Sequence, residues 1–332
     1  MKKSLFLTSG VIILLISFWV GYRIHKNNIY EKEARTFLIT ASKSYKLTKY
    51  ASDMLLTYWG TAIQGGEIKD LNGEMCYVSD INKAIEYAYL ILTSEQVYSV
   101  LEDLNTELTS QMKTLNSPPK KYEKLNVLLL EIYNNINEYT ELIKGHRLNY
   151  IQFGERISDL NKTLNTKLKE TCLYLTDISD ISDIKAKDII SEYINKKYAT
   201  YKKQNEDFAT NFSRQRGVKS LISSQNVFYR EINKGLYSKK IEDENIVIFH
   251  YELKDIKGNI IDSSYDRKNP QCIKLSDIKI EGLYKAIKEM NIGSIWEIVI
   301  KSDEAYKDRK VEKIKPFSTI VAKVELLGVK NE

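Results

Sequence analysis

The chain has 332 residues, and 50 basic against 44 acidic residues give a net charge of +6. This length predicts about two domains. With only 4 prolines and 14 glycines, collagen-like and Pro/Gly-rich disordered chains are excluded. The small charge excess on a mixed composition argues against a nucleic-acid partner. Three scattered cysteines without a CxxC pair predict neither a disulfide framework nor a zinc site, so we expect no metal and no other cofactor.

The first 28 residues predict a transmembrane anchor. Residues 5–22 carry no charge, and as a helix they would rise about 27 Å, close to the thickness of about 30 Å of the hydrocarbon core of a bilayer. A cleaved signal peptide is the alternative, but the bulky Phe18 and Trp19 stand where small residues would precede a cleavage site. We therefore expect a retained anchor, with the bulk of the chain periplasmic or extracellular in a bacterium.

Residues 29–175 predict an all-helical hairpin or bundle. Apolar residues recur every three or four positions, and glycine and proline are sparse. One helix should end near residues 64–66, and a second should begin after Ser79 and Asp80 and run to the stop at Pro118. We expect possible homodimerisation through three apolar stripes. The stripes are Val97, Leu101, Leu104, Leu108, Met112 and Leu115; Leu125, Leu129, Ile132, Ile136, Tyr139 and Ile143; and Phe153, Ile157, Leu160, Leu164 and Leu168.

The remainder of the chain predicts a connecting segment and a second domain. Residues 176–216 form a charged connector, helical from about 184 to 215. From 217 to 332, short runs rich in β-branched and aromatic residues alternate with turns and one short helix, the pattern of an α+β domain. The predicted elements are strands 226–233, 245–253, 294–300 and 318–329, and a helix over 281–290.

Six segments of this domain stand in the order found in FKBP-type peptidyl-prolyl cis/trans isomerases. They are Val247–Tyr251, Gly258–Ser264 (a Gly-x-x-Phe-Asp-Ser-Ser pattern with Ile261 for Phe), Ser264–Pro270, Glu281–Gly293, Ile300–Tyr306 and Pro316–Leu327. Residues 217–330, a third of the chain, thus resemble this family. The resemblance implies a half-barrel of antiparallel strands around one short helix.

The same resemblance implies a site and an activity. Tyr251 and Asp262 would line one wall, the Ile280 N–H would meet the substrate carbonyl, and Tyr306 would donate its hydroxyl to the carbonyl that precedes proline. Ile261, Leu283, Ile314 and Ala322 would bind the substrate. The expected activity is isomerisation of X–Pro bonds in polypeptide clients. The alternative for the two tyrosines is ordinary core packing with satisfied hydroxyls.

Several positions depart from the family pattern. Ile261, Leu283 and Ala322 stand where the family usually has aromatic residues, Lys307 replaces a glycine and Lys315 replaces a proline. Because each aromatic side chain buries about 150–250 Å², their loss predicts a shallower pocket. We expect an active isomerase. The rival function is a catalytically degenerate binding or scaffold module with a helical arm for dimerisation or client binding.

Overall fold

The computed structural model describes residues 2–70, 73–145, 148–175, 185–237 and 240–330, with only the backbone described for 2–17 and 236–237. The chain divides into two compact units, Met1–Ile190 and Ser191–Glu332. The first is helical apart from one β-hairpin, and the second combines an antiparallel sheet with helices. The protein is therefore of the α+β class, as the sequence predicts. The repeat within residues 176–184, at the start of the predicted connector, lies outside the described residues.

The first unit is a helical bundle in which the long first helix contacts the four that follow it. Its helices are α1 (Lys2–Gln64), α2 (Ile81–Ser94), α3 (Val97–Thr114), α4 (Glu123–Lys144) and α5 (Tyr150–Thr171). The strands β1 (Gly66–Lys69) and β2 (Met75–Val78) form an antiparallel hairpin between α1 and α2 that the sequence did not predict. A four-residue strand is too short for its alternation to stand out from a loop.

The helix that the sequence predicts over residues 81–115 is divided in two. Its start is confirmed, because the Asp80 carboxylate accepts the N–H groups of Asn82 at 2.9 Å and Lys83 at 3.3 Å. The helix breaks after Ser94, where Gln96 adopts a left-handed conformation with φ of 61°. Such a conformation normally favours glycine, so nothing in the sequence marks the break.

The three apolar stripes are packed inside the bundle. Leu101, Leu104 and Leu108 of α3 are fully buried, as are Leu125 and Leu129 of α4. The prediction that these stripes mediate self-association is therefore wrong, since they already form the core of a single chain. A helix stripe that packs within its own bundle has the same periodicity as one that packs against a second copy.

The structure gives no support for the predicted anchor. Within the residues whose side chains are described, from Phe18 onward, no helix is both long enough and apolar enough to cross a membrane. Most of the uncharged run 5–22 lies outside those residues, although the backbone of α1 continues through it to Lys2. The anchor remains a prediction.

The second unit is built on a seven-stranded antiparallel sheet. Its strands run in the order β3-β4-β8-β9-β5-β6, and β7 also pairs with β5. The four predicted strands are confirmed as β4, β8, β9 and β5, and the short β3, β6 and β7 were not predicted. The bounds are β3 (Val218–Ser220), β4 (Val227–Tyr237), β5 (Ile246–Lys254), β6 (Ile260–Ser263), β7 (Gln271–Lys274), β8 (Ile292–Ile300) and β9 (Ile320–Lys330).

One helix lies on each face of this sheet. Helix α7 (Glu281–Glu289) joins the main apolar cluster, to which Ile298 and Ile300 of β8 belong. Helix α6 (Ala186–Ser213) packs Phe212 against Val299, which points to the opposite face. The alternation of side chains along β8 explains this division, because successive residues face opposite sides of a strand. The predicted connecting helix thus belongs to the second unit from Ser191 onward.

A glycine lets α7 lie close against the sheet. A Cβ atom on Gly282 would overlap Ile300 Cγ2 and lie 2.9 Å from Val227 Cγ2. Both neighbours are fully buried branched side chains with no room to move. Only glycine therefore fits in the first turn of this helix.

We expect Gly282→Ala to destabilise the second unit by about 1–3 kcal/mol, because the added methyl group overpacks a dense core. Gly328→Ala is the matched control, since no atom lies within 4 Å of the Cβ position there. Urea unfolding of the full chain, followed by the fluorescence of the buried Trp296, would measure the difference. Equal midpoints for the two variants would contradict the tight packing of α7.

Candidate functional site

Tyr251 and Asp262 face each other across two paired strands. Along β5 every second residue is buried, and this alternation turns Phe249, Tyr251 and Leu253 toward the apolar cluster. Leu253 pairs with Asp262 of β6, so the carboxylate lies one step along the sheet from the tyrosine. The Tyr251 hydroxyl donates to Asp262 Oδ2 at 2.6 Å. The structure thus joins two predicted site residues by a direct hydrogen bond.

Arg267 completes this pair, a role that the sequence did not reveal. Its Nη2 donates to the Tyr251 hydroxyl at 2.6 Å, its Nη1 forms an ion pair with Asp262 Oδ1, and its guanidinium lies 5.4 Å from the centre of the Tyr251 ring. The planar guanidinium can bind carboxylate and hydroxyl at once while stacking on the ring. A cation five residues after Asp262 was the only available signal, and spacing across a turn does not show which way the side chain points.

The turn after β6 fixes the backbone of Tyr251. The fully buried Ser264 hydroxyl accepts the Tyr251 N–H at 2.8 Å and donates to the Tyr251 carbonyl at 3.1 Å. The Ser263 N–H donates to Asp262 Oδ1 at 2.8 Å, which holds the carboxylate from the side opposite Tyr251. Both serines of the Asp-Ser-Ser motif therefore position the site.

Together, burial and hydrogen bonding shift the pKa of Tyr251 upward and that of Asp262 downward. Burial raises the pKa of the Tyr251 hydroxyl, and its bond to the ionised Asp262 raises that pKa further. Burial also opposes ionisation of Asp262, but the hydrogen bonds from Tyr251 and Arg267 outweigh it and hold the pKa of this carboxyl below its usual value. At neutral pH, Asp262 is therefore an ionised carboxylate that accepts hydrogen bonds from Tyr251 and Arg267.

Ile280 and Leu283 enter the site from the start of α7. Ile280 is the residue at the N-cap, with extended backbone, and both side chains are buried in the main apolar cluster. Among the described residues, no acceptor lies within hydrogen-bond distance of the Ile280 N–H. Unpaired N–H groups are normal at a helix start, and here one borders the predicted binding surface.

Tyr306 and Ile314 belong to a loop that we call the flap, residues 306–316. The Lys307 N–H donates to the Ser302 carbonyl at 2.8 Å and the Phe317 N–H donates to the Lys307 carbonyl at 2.8 Å, so both ends of the flap are tied together. Ile314 is buried in the apolar cluster, and Tyr306 packs at its edge. Burial raises the pKa of the Tyr306 hydroxyl, and the negative charge of Asp262 raises it further.

All eight predicted site residues lie at one cluster. Tyr251, Ile280, Leu283, Ile314 and Ala322 are buried members, Ile261 and Tyr306 pack against its edge, and Asp262 binds Tyr251 at the border. Ala322 of β9 pairs with both Leu253 and Ile298. These eight residues thus belong to or border the apolar core of the domain, and their role as a site stays a prediction.

This domain also matches a known family. Residues 237–327 match the model of the FKBP-type peptidyl-prolyl cis-trans isomerase. The C-terminal domain is an FKBP-type domain. This match covers about a quarter of the chain and does not extend to the helical unit.

Relatives share the FKBP-type domain at modest identity. The FKBP-type isomerase FkpA of Buchnera aphidicola (strain APS) is 31% identical over 128 residues, 39% of this chain and 52% of that protein. The FKBP-type 22 kDa isomerase of Escherichia coli K12 is 34% identical over 118 residues, 35% of this chain and 55% of that protein. A crystal structure of an isomerase from Pseudomonas syringae has a TM-score of 0.37 and 27% identity, covering 40% of this chain and 96% of that one. The chain thus spans about half the length of the two curated relatives.

The departures from the family pattern have structural consequences in the FKBP-type domain. Lys307, in the place of a glycine, has φ of 56°, a left-handed conformation that a side chain disfavours. Its two backbone hydrogen bonds hold it there. Ile261, Leu283 and Ala322 make the site border aliphatic, so contact with a bound proline ring would involve less surface than aromatic residues give.

We expect Asp262→Asn to lower the pKa of Tyr251. Removing the negative charge removes part of the cost of forming a second anion next to it, so the tyrosine should ionise at lower pH. NMR titration of ring-labelled tyrosine, assigned with Tyr251→Phe, would measure the change. Asp266→Asn is the matched control, since this exposed carboxylate is not among the charges that act on Tyr251. An unchanged Tyr251 pKa in Asp262→Asn would show that the two groups are not coupled.

Proposed function

We propose that this protein catalyses cis–trans isomerisation of X–Pro bonds in polypeptide clients through its FKBP-type domain. The observation that carries the proposal is the meeting of Tyr251, Asp262, Arg267, Tyr306 and the unpaired Ile280 N–H at one apolar cluster. The relatives that share the domain bear the name of this activity. The resemblance in the sequence supports a role in the site for Tyr251, Asp262, Ile280 and Tyr306, but it did not include Arg267.

The reaction needs neither a nucleophile nor a redox group. Rotation about the X–Pro bond meets a barrier of about 18–20 kcal/mol because the planar amide is stabilised by resonance. Twisting removes that resonance and makes the amide less polar. A surface that excludes water and offers a few fixed donors therefore stabilises the twisted state more than the planar one.

Each residue has a role in this proposal. The aliphatic side chains of Ile261, Leu283 and Ile314 would receive the proline ring. The Ile280 N–H would hold one substrate carbonyl, and the Tyr306 hydroxyl would donate to the carbonyl that precedes proline. Its raised pKa keeps that hydroxyl protonated well into the alkaline range. Asp262 and Arg267 would fix Tyr251 on the opposite wall.

We expect Tyr306→Phe to lower kcat/KM for a proline-containing peptide by about 2- to 10-fold. This change equals the loss of one net hydrogen bond of about 0.5–1.5 kcal/mol. Tyr284→Phe is the matched control, because its hydroxyl donates to Asp243 at 2.7 Å and is not among the predicted site residues. NMR exchange measurements on the full chain in detergent would supply the rates. An equal effect of both substitutions would place the substrate elsewhere.

A binding module without catalysis is the second candidate function. The aliphatic and small residues Ile261, Leu283 and Ala322 favour it, because they give a weaker grip on proline than aromatic side chains would. Saturable binding of proline peptides by the wild-type chain, with no acceleration of their isomerisation, would support this candidate. Acceleration that depends on Tyr306 would support the enzyme.

We further propose that the chain is held at a membrane by residues 5–22 and acts outside the cytoplasm. The uncharged run is long enough to span a bilayer, and Trp19 and Tyr22 at its end are more than half exposed, as interfacial aromatics are. The helical unit would then follow the anchor in the chain and contact the clients.

We expect the chain to stay with membranes after washing at pH 11, and added protease to degrade it in intact spheroplasts. A variant with Ile12→Lys and Leu15→Lys should become extractable, because two charges within the apolar run disfavour insertion. Lys2→Gln is the control outside that run. Release of the wild-type chain by the alkaline wash would contradict the anchor.

A further inference from the structure

The flap carries an unusual concentration of positive charge next to the candidate site. Five of its eleven residues are cations, and only two are carboxylates, Asp308 and Glu312, so its net charge is three positive. The cations are Lys307, Arg309, Lys310, Lys313 and Lys315, and all five are exposed. Of the flap charges, Glu312 raises the pKa of Tyr306 and Arg309 lowers it.

Among the described residues, four of the five flap cations form no ion pair, although the charge of Lys307 adds to the hydrogen bond from Lys285 in lowering the pKa of Glu281. Within the described part of the chain, no carboxylate lies at ion-pair distance from Lys307, Arg309, Lys310 or Lys313. In contrast to these cations, the carboxylates at the candidate site form ion pairs. Asp262 binds Arg267, and Glu281 at the start of α7 binds Lys285 at 2.8 Å. The flap therefore adds a net positive charge beside carboxylates that are already paired.

The fold also fixes where these charges stand. Val311 and Ile314 exchange backbone hydrogen bonds of 3.1 and 2.8 Å, which makes the flap a tight hairpin. Ile314 points into the apolar cluster, whereas Lys313 is exposed and the Lys315 ammonium lies 5.5 Å from the centre of the Tyr201 ring of α6. Beyond the flap, the Asn205 side chain of α6 accepts the Thr319 N–H at 2.8 Å and holds the following segment.

We propose that the flap selects clients in which the residue preceding proline is acidic. This inference rests on the proposed isomerase function, in which Tyr306 at the base of the flap meets the carbonyl that precedes proline. An acidic side chain on that residue would lie beside the unpaired flap cations. The attraction would compensate for the smaller apolar contact that Ile261, Leu283 and Ala322 provide.

The experiment compares three acetylated peptides that differ only in the residue before proline, which is Glu, Gln or Lys. With the full chain in detergent at 50 mM NaCl, we expect kcat/KM to be about 3- to 10-fold higher for the Glu peptide than for the Gln peptide, and lowest for the Lys peptide. At 0.5 M NaCl the preference should shrink, because the screening length falls from above 10 Å to a few ångströms.

A charge variant and its matched control locate the effect. Arg309→Gln combined with Lys310→Gln should bring the Glu/Gln ratio toward one. Lys240→Gln combined with Lys257→Gln removes the same net charge from exposed positions outside the flap and should leave the ratio as in the wild type. A ratio that falls equally in both variants would mean a general charge effect and would overturn the inference.

The remaining outcomes separate this inference from the function on which it rests. Equal kcat/KM values for the Glu and Gln peptides, with clear acceleration of both, would overturn the acidic preference and leave the isomerase intact. No acceleration of any of the three peptides would overturn the isomerase function, and the inference with it.

Discussion

The close contact between α7 and the sheet is the constraint on which the candidate site depends. Because Gly282 has no side chain, the helix start can lie against Ile300 and Val227. This contact brings the Ile280 N–H and the Leu283 side chain to the cluster that also contains Tyr251. If an added methyl group pushed the helix outward, the Ile280 N–H would move away from Tyr251. The candidate site would then lose this hydrogen-bond donor and the apolar surface of Leu283.

The polar part of the site consists of one carboxylate shared among several donors. Asp262 receives hydrogen bonds from Tyr251, Arg267 and the Ser263 N–H, and this arrangement keeps it ionised at the edge of an apolar cluster. The side chain is still 42% exposed, so solvent screens its ion pair with Arg267. Its main effect is therefore to orient Tyr251 and to set the local charge, and its contribution to stability is small.

The proposed site combines a small apolar contact surface with a flap of net positive charge. Aliphatic residues replace aromatic ones at Ile261, Leu283 and Ala322, which reduces the contact available to a proline ring. The flap beside them carries unpaired cations that could recover affinity from acidic clients. A preference of this kind would depend on ionic strength, whereas affinity from apolar burial would not. The two contributions are thus separable by salt alone.

The sequence by itself determined the class of each half of the chain and four central strands, and it proposed the candidate site residues. Alternation and turn residues identify strands locally, and the Gly-x-x-x-Asp-Ser-Ser motif names Asp262 without reference to any partner. Only the tertiary structure decided what these residues contact. The role of Arg267 depends on a turn that folds it back over Tyr251, and the break at Gln96 depends on a backbone conformation that has no sequence signal.

The apolar stripes of α3, α4 and α5 were read correctly as buried surfaces. Whether they meet one another or a second copy is decided by how the helices pack, since periodicity reports only that a face is apolar.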